Sequence, residues 1–92
     1  MTSEFIKSLG WKSDGWWNNR EFFTLGDHTI REHNGDVCYD IDFEPHGEFD
    51  KISLTEFTKL VKLEIDIKNN PSNYTAKDFF DVEEKIKTFI CE

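Results

Sequence analysis

The sequence predicts an α+β fold: an antiparallel β-meander of three to four strands with helices packed on one face, in the order α-β-β-β-(β)-α-α. Three observations lead there. Asn34-Gly35 is the strongest hairpin signal in the chain, a type I′ turn. Gly26-Asp27 can close the preceding hairpin as a type II′ turn, and the two turns agree on one apolar face. Apolar residues at helical spacing flank this region on both sides.

The elements follow in order. Thr2 or Ser3 caps a short first helix that turns Phe5, Ile6 and Leu9 to the core, and Gly10 stops it. Lys12 to Asn19 reads as a loop, with Trp11, Trp16 and Trp17 around it. A two-residue loop at Asn34-Gly35 pairs Ile30 with Tyr39, Arg31 with Cys38 and His28 with Ile41. The Gly26-Asp27 turn pairs Phe23 with Ile30 and Leu25 with His28. Both registers put Phe23, Leu25, Ile30, Val37, Tyr39, Ile41 and Phe43 on one face.

Pro45 and Gly47 end the third strand, and a short fourth is expected around Phe49 to Ile52. Ser53-Leu54-Thr55-Glu56 has the form of a capping box, so a helix is expected from Leu54, with Leu54, Phe57, Leu60 and Val61 inward. Leu63 to Lys68 alternates like a strand, yet the capped helix is expected to run through it to about Ile67. Residues 69–73 form a turn cluster. Thr75, with Asp78 three residues on, caps the last helix, whose Phe79, Val82, Ile86, Phe89 and Ile90 share a face.

Composition bounds the function. At 92 residues the chain makes one domain, 1–92. Aromatics at 15% give it enough buried area to fold despite 33% charged residues. A net charge of −8 argues against direct nucleic-acid or anionic-membrane binding and points to a basic protein partner. Two cysteines, Cys38 and Cys91, make no disulfide framework, and Cys91 is expected to be only partly packed. Residues 1–12 lack a signal-peptide core, and no run reaches a membrane span, so a cytoplasmic protein with reduced thiols is expected.

Charge is the most informative feature. Asp36, Asp40, Asp42, Glu44, Glu48 and Asp50 lie in a 15-residue stretch with no Lys or Arg. The residues before it hold four basic against five acidic side chains, and those after it seven against eight. With Val37, Tyr39, Ile41 and Phe43 inward, Asp40, Asp42 and Glu44 would stand outward in a row. Side chains two apart on a strand lie roughly 6.6–6.8 Å apart, so such a row imitates the phosphates of a nucleic-acid strand. The same row also reads as a solvated face that blunts edge pairing. The aromatic stretch offers a second candidate. Trp16 and Trp17 cannot both face one side of an extended chain, and Phe22 points outward beside Arg31, so these three are candidate partner anchors.

Chemistry finds little support. Asp40-x-Asp42-x-Glu44 opens like a calcium loop, but Pro45 stands where that loop needs Gly and Lys51 where it needs Glu. His28, His33 and His46 make no zinc-type pair, and His28 is expected as a hydrogen-bonded core histidine. Cys38 beside Arg31 would have a slightly lowered pKa, with no histidine across from it. No phosphate loop or hydrolase motif occurs, so no catalytic residue, metal or cofactor is expected, and the protein reads as a non-enzyme.

Ile6-x-x-Leu9-Gly10-Trp11, Gly35-x-x-x-Tyr39-x-Ile41 and Lys51-Ile52-x-Leu54-x-x-Phe57 together resemble small acidic proteins of phages and mobile elements, notably the anti-CRISPR inhibitors. The resemblance is one of pattern across residues 5–61 and carries over no functional residue. It implies a stoichiometric inhibitor that blocks a basic nucleic-acid-binding surface of an RNA-guided Cas nuclease, or of its nucleic-acid-bound complex, in the host bacterial cytoplasm. An accessory or structural phage protein with a merely solvated acidic face is the alternative, and a small hydrolase or nuclease a third.

Overall fold

Five strands run consecutively in one antiparallel sheet, preceded by one helix and followed by two, so the class is α+β as expected. The computed structural model describes residues 1–90; Cys91 lies outside the described residues. Strands β1 (Lys12–Trp17), β2 (Arg20–Leu25), β3 (His28–His33), β4 (Asp36–Ile41) and β5 (Glu44–Phe49) are each six residues long. Two-residue turns join them all. Asn18-Asn19, Asn34-Gly35 and Asp42-Phe43 have positive φ at both positions, Gly26-Asp27 at the first only, matching types I′ and II′.

Both deduced registers stand, short of the expected His28–Ile41 pair, which β3 and β4 do not form. Phe23 faces Ile30 and Leu25 faces His28; Ile30 faces Tyr39 and Arg31 faces Cys38. Two strands differ from expectation. Lys12 to Trp17 is a strand rather than a loop, with a register shift between Ser13 and Gly15. Its sequence hides it, because every residue is exposed and no apolar alternation results. The fourth strand of the expected set lies earlier than Phe49–Ile52 and contains Pro45 and Gly47. An edge strand tolerates Pro, and the register shift beside Gly47 absorbs the Gly.

The inner face therefore ends sooner than alternation suggests. β3 and β4 pair only as far as Ile30 and Tyr39, and beyond that point β4 pairs with β5 alone. Ile41 is consequently 41% exposed and Phe43, in the turn, 64% exposed, so neither belongs to the core.

Helix α1 (Ser3–Ser8) is capped by Thr2 and buries Ile6. Helix α2 (Lys51–Asn69) starts three residues before the expected point. Asp50 is its cap, accepting from the Ser53 backbone N–H at 2.7 Å, while Ser53 Oγ accepts from the Asp50 N–H at 2.9 Å. The box is thus Asp50 to Ser53, not Ser53 to Glu56. α2 continues as helix through Leu63 to Lys68. Pro71–Asn73 makes one 3-10 turn, and α3 (Ala76–Ile90) opens with the expected reciprocal Thr75 and Asp78 bonds.

The helices cover one sheet face, and Phe57 is the centre of what they enclose. The rings of Trp11, His28, Tyr39, Phe49 and Phe89 all lie 5.0–6.2 Å from it, centroid to centroid. Such aromatic contacts add about 0.5–1.5 kcal/mol each beyond area burial. Buried polar groups are satisfied within this core. Trp11 Nε1–H donates to Thr58 Oγ1 at 2.8 Å, and His28 bonds Tyr39 and Glu64, as a core histidine should. Among the described residues no helix is long and apolar enough to cross a membrane.

Candidate functional site

The sheet face turned away from the helices has its own small cluster. Phe22, Arg31 and Asp40 belong to the outward set of β2, β3 and β4, and the tip of the β4–β5 hairpin folds onto them. Arg31 holds that tip down: its Nη1 donates to the Phe43 carbonyl oxygen at 3.3 Å and lies 3.7 Å from Asp40 Oδ1. Asp40 Oδ2 in turn accepts from the Phe43 N–H at 3.3 Å. Phe43 is thereby set edge-on against Phe22, at 6.0 Å, and tilted against Trp17, at 5.3 Å.

Phe43 holds φ at +68°, a region that bulky residues avoid at a cost of about 1–2 kcal/mol. Type I′ geometry demands it, since both turn positions must have positive φ. The strain falls where an aromatic ring is presented to solvent.

Trp17, 56% exposed, completes the surface from β1, while Trp16, 67% exposed, pairs with Glu21 and turns to the other side of the strand. Trp17, Phe43, Phe22, Asp40 and Asp42 line a groove of about 690 Å³ that the chain at Trp16 also borders. Asp14 stands at the same groove, and Asp27, also along it, is neutralised by Lys68 at 2.8 Å. The Asp27 carboxyl is held below its ordinary pKa by its hydrogen bond and ion pair with Lys68. Asp40 differs from the rim acids. Its side chain is only 8% exposed, and its Oδ1 accepts no hydrogen bond.

The anticipated anchors are partly corrected. Trp16 and Trp17 are both exposed, but Phe22, outward as expected, is buried beneath Phe43 and Trp17 and supports the surface from below. The acidic row does not exist. Asp40 lies in β4 opposite Pro45, Asp42 sits in the turn, and Glu44 begins β5 opposite Ile41, so the three do not share one strand. Of the others, Asp36 opens β4 opposite His33, Glu48 faces Cys38, and Asp50 caps α2. Only Asp40 and Asp42 join the aromatics at the groove.

Phe43, Ile41 and Asp14 were not among the anticipated site residues. The signal was present as a recurrence of Asn, Gly or Asp at 18, 26, 34, 42 and 50, which marks every turn and the helix cap. Cys38 also departs from expectation. Burial, then the neighbouring Glu48, push its thiol pKa up and outweigh the opposing pull of Arg31. Among the described residues no three His, Cys, Asp or Glu side chains converge to hold a metal ion.

Compared with known protein families, curated proteins and solved structures, the chain matches none. The surface itself therefore carries the functional reading.

Proposed function

We propose that the protein is a non-enzymatic interaction module that docks on a basic protein partner through the Trp17 and Phe43 surface, with Trp16 exposed at the same end of β1. In the form the anti-CRISPR resemblance implies, it is a stoichiometric inhibitor of a Cas effector in the bacterial cytoplasm, occluding a surface the effector uses for nucleic acid. One observation carries the reading: two large, mostly exposed aromatic side chains, Trp17 and Phe43, meet at one end of the sheet in a groove that Asp14 and Asp42 also line. Exposed aromatics are the usual energetic centres of interfaces, and rim charges of one sign steer a partner of the other. An acidic surface also disfavours nucleic acid itself as the ligand.

Asp36, Glu48 and Asp50 are outside this surface. Asp50 is occupied in capping α2, which supports a structural and solubilising role for that part of the acidic segment.

The test is affinity capture on the immobilised protein at low and raised salt, followed by a stoichiometric inhibition assay against the captured nuclease. Trp16→Ala/Trp17→Ala should weaken binding by about 30-fold or more, as loss of an interface centre does. Raised salt should weaken it further. Unchanged capture by the double variant, or a partner that is not basic, would overturn the proposal.

A further inference from the structure

We propose that the free edge of β1 pairs with the same edge of a second copy of this chain, across a two-fold axis at Trp16. The sheet order leaves β1 and β5 as the two edges. β5 is closed. It carries Pro45, and its Gly47 lies so close to α3 that a Cβ would stand 2.6 Å from the Phe89 carbonyl oxygen. Among the described residues nothing covers β1, all six of whose residues are exposed. Its first half is blunted by Lys12 and by the register shift between Ser13 and Gly15, but Gly15-Trp16-Trp17 carries neither charge nor proline. The Asn18-Asn19 turn fixes which groups point outward. A two-residue hairpin loop closes on a hydrogen-bonded pair, here Trp17 and Arg20, so Trp16 and Glu21 form the next, non-hydrogen-bonded pair. The Trp16 N–H and C=O therefore face away from β2, toward the bare edge.

These three residues are complementary to themselves. About an axis at Trp16, antiparallel pairing lets each Trp16 N–H donate to the other copy's Trp16 carbonyl oxygen. Gly15 then stands opposite the second copy's Trp17, and both belong to the outer sheet face. A Cβ at Gly15 would meet nothing within 4 Å among the described residues, so the space above it is open to that indole ring. An aromatic ring laid across a strand glycine covers the backbone that the glycine leaves bare. The two Trp16 rings meet on the opposite face, where aromatic cross-strand pairs stabilise a sheet. The same register sets Asp14 opposite Asn18 rather than opposite its own copy. A second copy suits this edge better than a basic strand of another protein, because residues 15–17 offer no carboxylate yet match one another residue for residue. Such an isologous contact closes on itself, and the blocked β5 edge keeps the pair from growing into a fibre.

The inference stands apart from the partner reading, and salt separates the two. Two chains of charge −8 repel, so self-association should tighten as salt rises, whereas capture of a basic partner weakens. Sedimentation velocity from about 10 µM to about 1 mM protein should show a monomer–dimer equilibrium. It should be at least about threefold tighter in about 0.5 M salt than in about 0.05 M. Over the same concentrations amide hydrogen exchange should slow at Trp16 and barely change at Trp17, whose N–H is already bonded to Arg20. Trp16→Lys, at an exposed position, sets two like charges across the axis and should weaken the dimer at least about tenfold. Phe80→Ala, which removes a similarly exposed ring from α3, should leave it unchanged. A monomer at every concentration and salt, a dimer that Phe80→Ala weakens as much as Trp16→Lys, or a Trp16 amide that exchanges freely in the dimer overturns the proposal. Protection of that amide only when a captured basic protein is added would assign the edge to a strand of that protein, and would equally overturn the dimer.

Discussion

His28 Nε2 lies 2.8 Å from Glu64 Oε1, tying the third strand to α2 across 36 residues of chain. With the ring proton directed to that carboxylate, Nδ1 accepts from the Tyr39 hydroxyl at 2.7 Å. Burial, then the charge of Glu64, raise the Tyr39 pKa and keep its hydroxyl protonated for this bond. Tyr39→Phe leaves a buried ring nitrogen without its donor. The expected loss is about 1–3 kcal/mol, read as a lower urea midpoint at unchanged slope. An unchanged midpoint would show the chain to be dispensable.

Gly47 meets α3 more closely than any side chain could. A Cβ there would stand 2.6 Å from the Phe89 carbonyl oxygen, and the residue holds φ at +63°. Gly15 has the same kind of backbone, with φ at +104°, but nothing within 4 Å of the Cβ position. Both alanine variants are strained by the backbone, and Gly47→Ala must also displace α3 from β5. It should therefore be less stable than Gly15→Ala by about 1–3 kcal/mol in parallel denaturation. Equal losses would mean that α3 yields freely.

Glu83 on α3 shares a hydrogen bond with Glu64, and that bond, then burial and the Glu64 charge, raise its pKa above the ordinary 4.5. The folded chain thus holds this proton more tightly than the unfolded one. The stabilisation is fully present below pH 4.5 and is lost as pH rises through the higher folded value. Lys68 and His28 oppose the shift from the same neighbourhood. Glu83→Gln keeps a neutral hydrogen-bonding group at every pH. Thermal melts should place the variant above the parent at pH 7, with the gap closing as pH falls towards 4.5. A gap that widens on acidification would reverse the assignment.

Much of the sheet was legible because two turns independently demanded one inner face, and no shifted register would have satisfied both. What escaped was hidden by exceptions to alternation. Asp42-Phe43 turns without a Gly, so Ile41 and Phe43 read as an inner-face continuation when the chain was already reversing. β1 buries nothing and contains a register shift, leaving no periodic trace. At the site, two adjacent tryptophans on an extended chain foretold exposure, since neighbouring side chains oppose each other. The burial of Phe22 was not foreseeable, because its cover is a turn residue that sequence spacing placed in the core.

The uniform step of the meander also shapes how the chain finds its fold. Each strand pairs only with its neighbour in sequence, so sheet growth closes loops of two residues and meets little entropic resistance at each stage. The long-range closure comes when α2 settles on the sheet, bringing Thr58 to Trp11 over a separation of 47 residues. Local zipping followed by one distant docking event is the order that low contact order favours. Trp11, stacked on Phe57 once docked, is placed to report the moment at which the two layers meet.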